Sequence, residues 1–162
     1  MSKDFLSSMS IRRHFRNSIE NALKNQSITP KEITAAYLVD LLCQYATTRL
    51  DEILNQPLGI MMAKAQRILP EQGTLKLKKV GDHALYLLGF FTENIKNRQL
   101  EPEYFTNLGQ TAYRRLGKIL NTKNRATQLV QVYSELADRF PFFVRVLADV
   151  RDRGGWGSGQ SG

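Results

Sequence analysis

The sequence predicts an all-α fold, a compact single-domain bundle of about six to seven helices around a central Gly/Ala-rich helix pair. Three observations lead there. Apolar residues recur at steps of three and four through most of the chain, and no segment sustains the alternation of a strand. A run at 77–120 carries two such patterns back to back, each with two glycines near its stripe. No heptad pattern runs long enough for an extended coiled coil, and 162 residues suffice for one domain with a real core.

The elements follow in order. Residues 1–9 read as a polar, flexible lead and 10–152 as the helical domain. Ser10 is placed to cap a first helix with the stripe Ile11, Phe15, Ile19, Ala22 and Leu23, ended by Asn25, Gln26 and Ser27. Thr29-Pro30-Lys31-Glu32 has the form of a capping box, with proline in the first turn. The helix it opens is expected to bury Ile33, Tyr37, Leu38, Leu41, Leu42 and Tyr45, and to run on to Ile53. Asn55-Gln56-Pro57 breaks it and starts a helix with the stripe Leu58, Met61, Met62, Ala65, Ile68 and Leu69, which Pro70 to Gly73 ends.

The central stretch comes next. Leu77, Val80, Gly81, Ala84, Leu88 and Phe91 share one face, and Leu85, Leu87 and Phe90 widen it, so this helix is expected to be covered on most sides. A reversal at 92–100, whose amphipathic character would also allow the helix to run on to about Arg98, leads to a helix opened by Glu101-Pro102, with Phe105, Leu108, Ala112, Leu116, Ile119 and Leu120 inward. A glycine inside a helix costs about 1 kcal/mol relative to alanine. Gly81, Gly89, Gly109 and Gly117 are therefore expected where helix backbones come close. A polar turn at 121–124 precedes a helix using Ala126, Leu129, Val130, Tyr133, Leu136, Ala137 and Phe140. Pro141 punctuates it, and a last helix uses Phe142, Val146, Leu147 and Val150. Residues 153–162 form a Gly/Ser-rich tail around Trp156.

The single cysteine, Cys43, excludes an internal disulfide framework and suits a reducing, cytoplasmic compartment. No secretory signal or membrane-length apolar run is present. The formal charge of +8 permits an acidic partner without requiring one. Its distribution is more informative. No acidic residue falls between Glu103 and Glu135, whereas Arg114, Arg115, Lys118, Lys123 and Arg125 do. Arg114, Arg115 and Lys118 are expected on one outward helical face, with Tyr113 near it for stacking. Such a face suits nucleic-acid phosphates or an acidic protein surface. The same cations near a helix C-terminus also suit a merely solvated surface.

No catalytic, metal or cofactor motif stands out. Two histidines and one cysteine without paired spacing do not form a zinc site, and no phosphate-binding glycine loop occurs. Asp82 and His83 are neighbours, but adjacent helical residues point about 100° apart and cannot relay a proton to each other. His83 reads as a structural or surface histidine at the edge of its stripe, with Tyr86 and Glu93 in reach of a polar cluster. Cys43 reads as a buried, inert thiol.

The run GDHALYLLGFF, a tyrosine–phenylalanine pair ahead of LGQTAYRRL, and the closing ELADRFPFFVRVLADV together resemble a family of small all-helical bacterial proteins with no assigned function. The resemblance implies an all-α bacterial domain over about residues 15–152 and supplies no activity, ligand or site residue. The expected function is a non-enzymatic adaptor or assembly module that binds another protein or itself. A nucleic-acid-binding protein using the basic face is the alternative. The candidate partner-binding residues are Arg114, Arg115, Lys118, Lys123, Arg125 and Trp156, without cofactor, metal or membrane insertion.

Overall fold

Among the residues that the computed structural model describes (2–68, 70–122 and 127–154), every regular element is helical and no strand occurs. Nine helices follow one another among these residues: α1 Ser2–Asn25, α2 Glu32–Tyr45, α3 Leu50–Leu54, α4 Leu58–Arg67, α5 Pro70–Phe90, α6 Thr92–Asn97, α7 Pro102–Thr122, α8 Thr127–Asp138 and α9 Phe140–Gly154. The count exceeds the expected six to seven because two short helices, α3 and α6, occupy stretches read as a helix end and a loop. Among the described residues no helix is long and apolar enough to cross a membrane.

The centre is one helix rather than a pair. Every residue of 80–91 is buried, and α2, α3, α4, α6, α7 and α9 all touch α5. Helix α7 packs along α5 but keeps a polar face open at Arg114, Arg115 and Lys118. Pro70 begins α5 instead of closing α4, so the turn read into Pro70 to Gly73 is the first turn of the central helix. Gly73 is where backbones do come close: a Cβ there would lie 3.0 Å from the Ala65 carbonyl oxygen of α4.

The other glycines make room for side chains. A Cβ on Gly81 would lie 2.5 Å from the Tyr113 ring. One on Gly109 would collide with the Phe140 ring, and one on Gly89 with Leu147. Gly117 is different, because its nearest atom, the Ser134 hydroxyl oxygen, would be 3.5 Å away, an ordinary contact. The expected backbone approach is thus replaced, at three of four positions, by a ring or leucine from another helix seated over the missing Cβ.

Helix ends depart from the sequence reading where distant groups intervene. Helix α1 begins at Ser2, eight residues before Ser10. It ends in a Schellman motif: Ser27 takes a left-handed φ of 54°, Ile28 N–H bonds the Leu23 carbonyl and Ser27 N–H that of Lys24. Gln99 ends α6 in the same way at φ 62°. The capping box does not form. Helix α2 starts at Glu32 with Lys31 at its N-cap, and no side chain of its own caps it. Glu135 of α8 accepts the Lys31 N–H at 3.1 Å instead, and Arg139 bridges Glu135 and the Thr29 carbonyl. Helix α2 stops at Tyr45, where the Thr48 N–H turns back to the Tyr45 carbonyl. Helix α5 breaks at Phe91, and the Thr92 hydroxyl takes the Leu88 carbonyl that a continuing N–H would have taken.

Three stripes are rotated slightly from expectation. Ile11, Leu129 and Phe142 are exposed, whereas Val132 and Phe143 are fully buried. Phe142 lies between the guanidinium groups of Arg139 and Arg145.

Candidate functional site

Of the residues expected to bind a partner, Lys123, Arg125 and Trp156 lie outside the described residues. Arg114, Arg115 and Lys118 are exposed on α7, but they do not act as one face. Arg114 turns to Asp138 of α8 at 3.6 Å. Arg115 and Lys118 face the other way, onto a cleft of about 370 Å³ between α4, α5 and α7. Ala65 and Ile68 of the α4 end, Leu77 of α5 and Ile119 of α7 give it an apolar floor. Among the described residues no acidic side chain lines it, and no carboxylate pairs with either cation.

Tyr113 is not the stacking aromatic of that face. It is completely buried and points to the opposite side of α7. Its hydroxyl donates to Oδ1 of Asp82 at 2.7 Å, and Tyr37 of α2 donates to the same oxygen at 2.6 Å. The Lys78 ammonium, one turn before Asp82, donates to Oδ2 at 2.7 Å. Tyr133 of α8 closes the group, edge-on to Tyr37 and stacked on Tyr113. Burial, reinforced by the neighbouring carboxylate, pushes the Tyr37 and Tyr113 hydroxyls well above their ordinary range, so both remain donors. Burial pulls Lys78 down, and the Asp82 carboxylate more than restores it. The result is a carboxylate that joins α2, α5 and α7 with charge and hydrogen bonds balanced.

His83 is buried as well, at 5% exposure. Its Nδ1 lies 2.5 Å from the Tyr45 hydroxyl of α2. Tyr86 does not join it in a polar cluster with Glu93. Tyr86 stacks between Tyr45 and Phe90, while Glu93 pairs at the surface with Lys96. Burial first, then the Lys79 charge, lowers the His83 pKa to about 4, against a Lys79 carbonyl bond and Asp82 that favour the charged ring. A cleft of about 470 Å³ opens above His83, walled by Gln44, Thr48, Glu52, Gln56 and Lys79. Cys43 is partly exposed, and burial raises its pKa, leaving it a thiol. No group of three or more metal-ligating side chains gathers among the described residues.

The lowered His83 pKa makes a pH prediction. The unfolded ring binds a proton near its ordinary 6.5 and the folded ring only near 4, so the unfolded state holds more protons between those values. Stability is complete above about pH 6.5 and falls as the pH drops towards 4, by about 3 kcal/mol in all at 1.36 kcal/mol per pKa unit. Denaturant titrations of His83→Gln should show a much flatter profile over this window. An equal slope in both proteins would remove His83 as the cause.

No family model, curated protein or solved structure matches the chain in the comparisons. The reading of its function therefore rests on its own surfaces.

Proposed function

We propose that the chain is a non-enzymatic, cytoplasmic adaptor or assembly module, and that the cleft between α4, α5 and α7 docks an acidic segment of a partner protein. The observation that carries this is an apolar floor of Ala65, Ile68, Leu77 and Ile119 beside two cations, Arg115 and Lys118, with no acidic residue among the described lining. An apolar floor gains little from a phosphate backbone but accepts aliphatic side chains of an amphipathic helix. The unpaired cations supply orientation and charge complementarity. Arg114 is outside the site because Asp138 engages it. Nucleic-acid binding by the same face is the competing reading.

The test uses two probes on the full chain: a synthetic Glu-rich helical peptide with leucines at i and i+4, and a single-stranded oligonucleotide. The peptide is expected to bind with modest salt dependence. Arg115→Gln with Lys118→Gln should weaken it roughly two- to thirtyfold, since each exposed charge pair contributes about 0.2–1 kcal/mol. Arg114→Gln should leave it unchanged. Oligonucleotide binding with log K falling steeply against log salt would favour the nucleic-acid reading. Binding of neither probe would discard this cleft.

A further inference from the structure

The cleft above His83 has a polar floor. His83, Asp82 and Tyr45 all line it, and all three are buried. Each is fixed from within the protein: Tyr45 meets the His83 ring at Nδ1, and Lys78 donates to Asp82 at 2.7 Å. Buried polar groups cost stability that apolar side chains would not, and the lowered His83 pKa is the mark of that cost. Above the floor, Gln44 of α2, Glu52 of α3, Gln56 of the turn after α3 and Lys79 of α5 line the same space of about 470 Å³. Among the described residues, neither amide side chain makes a hydrogen bond to the protein, and neither charge has an ion-pair partner. The volume lies within the roughly 300–1,000 Å³ of small-molecule sites.

We propose that this cleft binds a small zwitterion of the free α-amino-acid class, its ammonium on Glu52 and its carboxylate on Lys79. The charges of the whole described lining select that class. Lys78 and Asp82 neutralise each other, which leaves Glu52 and Lys79, one of each sign. A simple anion or cation would leave one of these unmet, and a polyol would leave both. The Lys79 charge is near enough to the floor to act on the His83 ring, so a carboxylate held by Lys79 stands close to that ring. Gln44 and Gln56 add donors and acceptors for the remaining polar edges. The cleft shares no lining residue with the one between α4, α5 and α7, so either site can fail alone.

The test is a titration of the full chain with the common free amino acids, one at a time at millimolar concentration. Binding is read by melting temperature and by histidine ring NMR signals. The chain has two histidines, so the spectrum separates this cleft from the α1 surface that carries His14. At least one amino acid should raise the melting temperature and move the His83 signals while those of His14 stay in place. Its N-acetyl and amide derivatives, which each keep one charge, should bind roughly tenfold or more weakly. Glu52 and Lys79 are both exposed, so their substitutions leave folding intact. Glu52→Gln should weaken the free amino acid and the amide but not the N-acetyl form, and Lys79→Gln the free amino acid and the N-acetyl form but not the amide. The proposal is overturned if no free amino acid moves the His83 signals. Equal binding of a derivative or of glycerol, or binding indifferent to both substitutions, would overturn it as well.

Discussion

Asp82→Ala should lower the unfolding free energy by about 3 kcal/mol, the size expected when one partner of a buried charged network is removed. The cost does not fall on Lys78. Its side chain is 37% exposed and can turn to water. It falls on the two tyrosine hydroxyls, which lose the oxygen they share, at about 1–3 kcal/mol for each donor left buried without an acceptor. Tyr113 is completely enclosed and has no route to solvent. Asp82→Asn keeps an acceptor oxygen and should cost less. Tyr113→Phe should cost about 1 kcal/mol alone, and less on top of Asp82→Ala, since the acceptor is already gone. Urea denaturation of the four proteins measures the coupling. Strictly additive losses would mean that the two groups do not act on one another.

Gly109→Leu should be at least as damaging, and the milder Gly109→Ala and Gly81→Ala carry the argument. Helix propensity alone says that each alanine stabilises by about 1 kcal/mol. The packing says otherwise at these two sites. The new methyl of Gly81→Ala would meet Cε1, Cδ1 and Cζ of Tyr113 at 2.5, 2.7 and 2.9 Å. That ring is held at its far end by Asp82 and cannot withdraw. Gly109→Ala would press on the Phe140 ring and come within 3.1 Å of the Ala84 Cβ. Overpacking of this kind costs typically about 1–3 kcal/mol, and leucine exceeds it. Gly117→Ala meets only ordinary contacts and should stabilise by up to about 1 kcal/mol. Thermal melts that shift in the same direction for all three alanine variants would refute the ring-seat explanation.

The all-helical class, and the deep burial of the 77–91 stripe, were legible because both depend on periodicity along the chain. The sites were less legible. Tyr113, Arg114 and Arg115 are consecutive, and the sequence placed them on or near one outward face. In the fold they go three ways: Tyr113 to Asp82, Arg114 to Asp138 and Arg115 to the cleft beside α4. Nothing within α7 separates these fates; α5, α8 and α4 do. Tyr37 and Tyr113 stand 45 and 31 residues from Asp82, so no local signal links them to it. A buried acid inside an apolar run was the one available hint.

Propensity and spacing by themselves determined that this chain makes helices, where most of them break, and that α5 would be enclosed. Those properties belong to segments of ten to twenty residues, and the physics that decides them is local. The tertiary structure alone decided what the glycines are for, what caps α2, and which cations are free. Each of these is a relation between elements distant in sequence. The capping box yielded to Glu135 because Lys31 remained extended and a carboxylate from α8 reached its N–H. Gly81 and Gly109 are glycine because two rings, from α7 and α9, need the space of a Cβ. A pattern of single residues records that a small side chain is required, and only the packed neighbour shows the reason.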